Sequence, residues 1–188
     1  MRSQRRILEA LRKMAEGLGW SRLRRPFLSL SLTVAGEWNG RRVWLRYRPP
    51  SKNAPAFVAA EIALALPGRF ELRGRPERDR LWKRPIVLFG PPAVELFDPA
   101  DAARFRAWSA DRTLLDRLLA LPAIRPLLER NLPPGDGALT LRDGRLRVRR
   151  SPARTAGGWR LRFGSDPERV LEVAKEEWDL IAAASALA

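Results

Sequence analysis

The chain contains no cysteine and no histidine. Without cysteine it has no disulfide framework, no thiolate nucleophile and no cysteine-ligated zinc site. Without histidine it has no Ser-His-Asp triad and no imidazole acid or base, so any catalysis would depend on carboxylates, lysine, tyrosine, arginine or hydroxyl groups. Walker, dinucleotide-binding and metalloprotease motifs are missing too. We therefore predict no catalytic residue, no cofactor and no metal.

Lysine is scarce as well, although the chain is strongly basic. Only four of its 36 basic residues are lysines, and the net charge is +15. Residues 1–50 carry twelve basic and three acidic side chains, whereas residues 151–188 carry five basic and six acidic ones. Such an uneven cationic surface favours anionic partners. A GC-rich bacterial genome is an alternative source of the arginine excess, because alanine, glycine, proline and leucine are abundant too.

Long hydrophobic runs are absent. The most apolar stretch, Ala54–Leu66, contains Glu61 and is about half as long as a bilayer crossing requires. The first 17 residues contain arginines but no uninterrupted apolar segment of the kind that a signal peptide needs. The sequence thus predicts a cytoplasmic protein that is at most peripheral to a membrane.

Two tight-turn signals organise the predicted fold. Asn39-Gly40 and Asp143-Gly144 each lie between alternating runs, and such dipeptides are the strongest short-range signals for a hairpin. Strands outnumber helices, and no regular alternation of strand and helix occurs. We predict an α+β single domain over residues 1–188, with a largely antiparallel sheet of about six to eight strands and amphipathic helices at both ends.

The predicted domain has five regions along the chain. They are an N-terminal helix (1–19), a first β region (27–97), a helical insert (98–131, with short helices near 99–131), a second β region (138–163) and a C-terminal helix (165–187). Individual strands are predicted at 27–34, 41–48, 57–66, 86–89, 94–97, 139–142, 145–149 and 159–163, with a further short strand at 70–73.

Arginine recurs at alternate positions in three of these strands. Successive side chains of a strand point to opposite faces, so the arginines should form one cationic face and the apolar residues between them a buried one. Trp44 lies among them, where it could stack on unpaired bases or pack on arginine side chains through cation–π contacts. The candidate partner-binding residues are Arg41, Arg42, Trp44, Arg46, Arg48, Arg145, Arg147, Arg149, Arg160 and Arg162.

A group of carboxylates in the middle of the chain is the main candidate for catalysis. Asp98, Asp101 and Asp111, with Glu95 nearby, could form a cluster for hydrolysis or for a divalent cation. The alternative is structural, because Asp98 lies at a predicted N-cap and the other two aspartates fall in first helical turns. The structural interpretation is favoured, with Ala100–Trp108 as the first of the short helices.

Several segments are familiar in combination. Gly36-Glu37-Trp38-Asn39-Gly40-Arg41-Arg42-Val43 is followed by Leu96-Phe97-Asp98, by the leucine-rich stretch Leu114–Leu128 and by Asp143-Gly144. This combination resembles a loosely defined set of uncharacterised bacterial proteins, which pair a G-x-aromatic-x-G-R-x-V hairpin with an FD element, a helical insert and a late DG hairpin. The resemblance covers residues 30–150 and carries over no catalytic residue. It implies a non-enzymatic bacterial module.

The leading hypothesis from the sequence is a non-catalytic interaction module. Its arginine-rich sheet face would bind an acidic protein surface or an anionic membrane surface. The alternative is nucleic-acid binding by the same face, with Trp44 stacking on bases. A third hypothesis is a carboxylate-dependent hydrolase around Asp98–Asp111.

Overall fold

The computed structural model describes residues 2–24, 31–49, 56–75, 92–134, 137–150, 154–155, 158–159 and 166–188. The helices in these ranges are α1 (Arg2–Gly17), α2 (Pro99–Arg104), α3 (Arg112–Leu119), α4 (Ile124–Asn131) and α5 (Pro167–Ala184), which a 3₁₀ turn (Ser185–Leu187) follows. The strands are β1 (Ser21–Arg24), β2 (Leu32–Trp38), β3 (Arg41–Arg48), β4 (Phe57–Ala63), β5 (Phe70–Gly74), β6 (Ala93–Val94), β7 (Phe105–Ser109), β8 (Gly137–Arg142), β9 (Arg145–Arg150), β10 (Arg154–Thr155) and β11 (Gly158–Trp159).

Strands β1 to β9 form one sheet in the order β1-β2-β3-β4-β9-β8-β5-β7-β6. Each of the described pairings in it is antiparallel. The pairing of β4 with β9 joins the two predicted β regions, so the hairpin β2–β3 and the hairpin β8–β9 lie in the same sheet. Strands β10 and β11 form a separate two-stranded pair.

The two predicted tight turns have the conformation that their sequences favour. Asn39 and Gly40 have φ angles of 49° and 73°, and Asp143 and Gly144 have φ angles of 52° and 67°. Positive φ at both central residues defines the type I′ turn, whose twist matches that of the flanking strands. Both hairpin predictions are confirmed, and the turns fix which strand residues share a face.

One face of the sheet carries the hydrophobic core. Val43, Leu45 and Tyr47 of β3 are at most 1% exposed, and alternate residues of β4 and β9 are buried beside them. They form one cluster with the apolar stripes of α1, α3, α4 and α5. Each fully buried side chain of this size contributes roughly 1.5–3 kcal/mol. The helices therefore cover one face of the sheet and place the intervening strand residues on the other.

Capping carboxylates begin three of the helices. Asp98 accepts a hydrogen bond of 2.9 Å from the backbone N–H of Ala100, and Asp111 accepts one of 3.2 Å from that of Leu114. Asp166 caps α5 in the same way. Each cap satisfies an N–H group that has no partner within its helix.

The predicted fold class is confirmed, with differences in detail. The main sheet has nine strands, more than the six to eight predicted, and β1 has no predicted counterpart. The helix predicted at Ala100–Trp108 is wrong beyond Arg104, because Phe105–Ser109 forms β7. Buried and half-buried side chains alternate along β7, which is the period of a strand rather than of a helix.

Some predicted elements lie outside the described residues. They are the strand at 86–89, the first part of the strand at 27–34 and most of the strand at 159–163. In the part of the chain that is described, no helix combines the length and the apolar character that crossing a membrane would take.

Candidate anion-binding face

The sheet face opposite the helices carries most of the arginines that the sequence singled out. Alternation along β3 turns its odd-numbered residues from Val43 to Tyr47 toward the helices and its even-numbered residues away from them. The register places the matching residues of β4 and β9 beside them. We call this surface the arginine face, and it comprises Arg42, Trp44, Arg46, Arg48, Phe57, Ala59, Glu61, Ala63, Arg145, Arg147 and Arg149.

Strand β4 runs between two columns of arginine side chains. Ala59 pairs with Arg46 on β3 and with Arg149 on β9. Neighbouring strands of a sheet are about 4.8 Å apart, so the two columns are separated by about 9.6 Å. Within one column, successive side chains on this face are about 6.8 Å apart along the strand. Ala59 is 0% exposed and Glu61 3%, so the side chains of the two columns close over the middle of β4.

Glu61 is the one acidic residue of the arginine face as defined on β3, β4 and β9. Its carboxylate is only 3% exposed, and Arg46 Nη2 lies 3.2 Å from Oε2 while Arg147 Nε lies 3.2 Å from Oε1. The pair of contacts neutralises the buried charge and holds both guanidinium groups in place. Sequence reasoning missed Glu61, although a single carboxylate in an otherwise apolar strand beside arginine-rich strands was a usable signal.

Three other arginines of the face lack such compensation. Among the described residues, no carboxylate lies within 4.0 Å of the guanidinium nitrogens of Arg42, Arg48 or Arg145. On β3, β4 and β9, six arginines thus share the face with one carboxylate, while Glu37 of β2 and Glu71 of β5 flank it on the same side of the sheet. The surface carries a concentrated positive charge and few counter-ions of its own.

The crowding of cations affects Arg149 in particular. Partial desolvation, followed by the positive charges of Arg147, Arg73 and Arg48, lowers the pKa of its guanidinium below the ordinary value. Arginine keeps its proton at neutral pH even so. An anion placed among these side chains would relieve their mutual repulsion.

Aromatic rings lie beneath several of the guanidinium groups. The guanidinium carbon of Arg145 is 4.9 Å from the ring centre of Trp44. Those of Arg149 and Arg147 are 5.2 Å and 5.9 Å from the ring centre of Phe57. These distances are within cation–π range. Of the two alternatives for Trp44, the structure shows the cation–π contact, and base stacking stays a prediction.

One of the predicted face residues lies elsewhere, and two others fall outside the described residues. Arg41 shares the alternation phase of Val43, and it donates hydrogen bonds of 2.9 Å and 3.2 Å to the backbone oxygens of Ser185 and Ala188. It therefore fastens the segment after α5 to the sheet on the helix side. Arg160 and Arg162 lie outside the described residues.

Two arginines that the sequence did not suggest extend the cationic row across the sheet. Ala138 of β8 pairs with Arg149 and with Arg73, and Arg73 pairs in turn with Arg106 of β7. Arg73 was not predicted to belong to the face because its strand is short. Arg106 was not predicted to belong to it because it fell in a predicted helix. Only the strand order, which brings β9, β8, β5 and β7 together, reveals this row.

The carboxylates that were candidates for catalysis, in the middle of the chain, cap helices or form ion pairs. Asp98 and Asp111 are helix caps, and Arg125 Nη2 lies 3.0 Å from a carboxylate oxygen of Asp98 and 3.0 Å from one of Asp101. Arg125 thereby links the start of α2 to α4. Within the described ranges, no three potential metal ligands among His, Cys, Asp and Glu are grouped so as to hold an ion.

No protein-family model, no curated protein and no solved structure matches the chain in the comparisons with known proteins. The resemblance of Gly36–Val43 and the later segments to a bacterial set stays a prediction. The functional argument therefore depends on the geometry and charge of the arginine face.

Proposed function

We propose that the chain is a non-catalytic interaction module that binds an anionic macromolecule through the arginine face. The observation that carries this proposal is the charge of that face: six arginines and one buried carboxylate on three adjacent strands. A surface of this kind attracts anionic partners and accelerates their association.

The placement of the arginines argues against genome composition as their whole explanation. Several basic side chains of the helices pair with a carboxylate three or four residues away, as Arg12 does with Glu16 and Arg112 with Asp116. On the arginine face, Arg42, Arg48 and Arg145 have no such partner among the described residues. Compositional drift alone gives no reason for carboxylates to be common on the helices and rare on this face.

The partners proposed from the sequence share this chemistry. An acidic protein surface and an anionic membrane surface would both meet the arginine face by charge complementarity, and nucleic acid is the alternative. We propose a cytoplasmic location, with membrane contact limited to the periphery. A hydrolase is not favoured, since Asp98, Asp101 and Asp111 serve as caps and ion-pair partners.

The proposal is tested by changing the same amount of charge on the two sides of the molecule. The face variant carries Arg42→Gln, Arg48→Gln and Arg145→Gln. The control carries Arg5→Gln, Arg6→Gln and Arg130→Gln, at exposed positions of α1 and α4. Binding to poly-L-glutamate, to phosphatidylserine vesicles and to oligonucleotides is measured for both and for the wild type.

The face variant should lose at least tenfold in affinity for one of these polyanions, because specific contacts are removed, whereas the control should lose little. Equal losses for the two variants would show that only net charge matters. Absence of binding by the wild type at low salt would refute the proposal.

A further inference from the structure

We infer that one corner of the arginine face is a binding site for a single phosphate monoester group. The corner consists of Arg42 on β3, Ala63 on β4 and Arg145 on β9, which lie side by side at the end of the strands where the two hairpin turns are. We call it the turn-end corner. The inference goes beyond the proposed function, because the ligand is one small dianionic group rather than the surface of a macromolecule.

The turn-end corner is open to solvent, unlike the middle of the face. Arg42 and Arg145 are exposed and Ala63 is half-buried. In the middle of β4, by contrast, Ala59 is 0% and Glu61 3% exposed. A small anion can therefore approach the face from solvent at this end of β4 but not at its middle.

The side chains of both arginines can reach a group placed above Ala63. The register of the strands puts Arg42 beside Ala63 on one side and Arg145 on the other, and neighbouring strands are about 4.8 Å apart. The guanidinium carbon of Arg145 is 4.9 Å from the ring centre of Trp44, which belongs to β3, so these two side chains meet above β4. The ring restricts the orientations of this guanidinium, which lowers the entropy lost on binding.

Carboxylates that flank the turn-end corner are engaged by other arginines. Glu37 faces Arg42 across β2 and β3, but its Oε1 lies 3.2 Å from Nη1 of Arg22. Glu61, the next residue along β4 on this face, has both oxygens in contact with arginines outside the corner. The two positive charges of the corner are therefore left for a ligand.

The hairpin turn beside the corner adds to its positive charge. Arg142 lies directly opposite Arg145 across β8 and β9, and like charges at such positions repel each other. Asp143, in the turn between them, lies 3.3 Å from Arg142 and 3.2 Å from Arg69, and it forms no ion pair with Arg145 among the described residues. An anion bound at the corner would relieve the repulsion that Arg145 experiences.

A phosphate monoester matches the donors and the charge of the turn-end corner. The two guanidinium groups carry two positive charges, and a monoester carries about −1.5 to −2 near neutral pH, with three terminal oxygens. One guanidinium fork can already bind both oxygens of a carboxylate. A carboxylate or a phosphodiester, each with two terminal oxygens and one charge, would therefore leave the second fork with little to bind.

Titration of the ¹⁵N-labelled full chain with methyl phosphate, followed by NMR, tests the inference. Sodium chloride is exchanged for the ligand at constant ionic strength, so that screening of the whole face does not change. We expect saturable shifts confined to the amide signals of residues 42–44, 62–64 and 144–146. Arg42→Gln and Arg145→Gln should each weaken binding at least tenfold, because each removes charge-assisted hydrogen bonds.

Arg48→Gln is the matched control. Arg48 lies on the same strand and the same face as Arg42, also without a carboxylate partner among the described residues, but about 20 Å away along β3. This variant should keep the wild-type affinity within about twofold. Arg42→Lys keeps the charge of the corner without the planar fork and should bind severalfold more weakly than the wild type. Equal losses for Arg48→Gln and Arg42→Gln would overturn the inference, because only the charge of the whole face would then matter.

The preference for a dianion is tested by pH. The second pKa of a phosphate monoester is about 6, so the fraction of its dianion rises about tenfold between about pH 5 and pH 7.5. The affinity for methyl phosphate should rise by up to this factor, whereas that for sulfate, which stays doubly charged, should not follow it. Titration of the chain's own carboxylates affects both ligands and cancels in the ratio of the two affinities. The same pH response for both ligands would overturn the inference.

Vesicles identify the source of the phosphate group. Phosphatidic acid presents a phosphate monoester, whereas phosphatidylserine presents a diester. Once methyl phosphate is localised to the corner, tighter binding to phosphatidic acid vesicles than to phosphatidylserine vesicles of equal charge, lost in Arg42→Gln, assigns the phosphate to a lipid headgroup. Equal binding to the two vesicles assigns it to a soluble phosphorylated compound. Both results support the site.

The outcomes separate this inference from the proposed function. If methyl phosphate gives no shifts at the turn-end corner while a polyanion binds through the arginine face, the inference is wrong and the proposed function stands. If methyl phosphate binds at the corner and none of the polyanions binds, the inference stands and the proposed function is refuted.

Discussion

The two faces of the sheet are built from the same strands but held by different forces. On β3, Val43, Leu45 and Tyr47 are buried against the helices, whereas Arg42 and Arg46 alternate with them on the other side. The covered face gains its stability from apolar burial, which does not depend on the charge of the side chains. The arginine face gains little from its cations, which repel one another unless a carboxylate or a ligand lies among them. The difference implies that the covered face contributes most of the folding energy, whereas the arginine face is the one that we propose for binding.

Each face also buries one glutamate, and the two are stabilised in opposite ways. Glu61 lies between two guanidinium groups. Glu177 of α5 is completely buried on the helix side, where its Oε1 accepts a hydrogen bond of 2.8 Å from the backbone N–H of Arg150. Its Oε2 has no hydrogen-bond partner among the described residues. Glu61 is thus compensated by neighbouring positive charge, whereas burial in the covered face raises the pKa of Glu177 and favours its protonated form.

The largest expected effect comes from the covered face. Leu45→Ala removes a side chain that is 0% exposed and leaves a cavity between the sheet and the helices. We expect the free energy of unfolding to fall by about 2–5 kcal/mol. Urea unfolding followed by tryptophan fluorescence measures the change. Arg48→Ala, on the same strand but on the arginine face, is the matched control and should change stability by less than about 0.5 kcal/mol. Equal losses would mean that the two faces contribute alike to folding.

The second-largest expected effect is the pH dependence of stability that Glu177 confers. Burial raises its pKa well above the ordinary value of 4.5, and the hydrogen bond from Arg150 opposes this only in part. Between the unfolded and the raised folded pKa, the native chain holds a proton that the unfolded chain has lost. Stability therefore falls as pH rises through that window, by up to about 1.4 kcal/mol per pH unit.

Glu177→Gln removes this titration while keeping an oxygen for the N–H of Arg150. The variant should equal the wild type in stability near pH 4 and exceed it increasingly toward pH 7.5. Thermal melting of both proteins at several pH values measures the difference in stability. The other titratable groups are the same in the two proteins, so their contributions cancel in this difference. A constant difference across this range would contradict a raised pKa at Glu177.

Much of the fold follows from local signals in the sequence. The Asn39-Gly40 and Asp143-Gly144 turns and the period-two alternation of β3 and β9 specify two hairpins and their faces. The strand order is not local, because the pairing of β4 with β9 joins segments about 90 residues apart and is decided by which apolar faces pack best under the helices. β7 was misassigned for the same reason, since its neighbour β5 is distant in the sequence.

The candidate site was predictable as a set of arginines but not in its arrangement across the strands. Alternation assigned Arg42, Arg46 and Arg48 to one face, yet Arg41 was grouped with them although its position has the opposite phase. Glu61 could not be placed between two arginines without the order β3-β4-β9. Sequence periodicity identifies the face of each strand, whereas tertiary pairing decides which side chains meet on it.

The smallest effect tests whether the arginine face is held together by its own carboxylate. Glu61→Gln leaves the side chain its size but removes the charge that Arg46 and Arg147 share. Both arginines are about a third exposed, so water compensates in part, and we expect a loss of about 1–2 kcal/mol in urea unfolding at pH 7. Glu71→Gln is the matched control, because Glu71 pairs with Arg73 at a more exposed position of the same face; it should cost less than about 1 kcal/mol. If Glu61→Gln proves as stable as the wild type, the two guanidinium groups do not depend on Glu61 for their positions, and the contrast between the two buried glutamates would lose its physical basis.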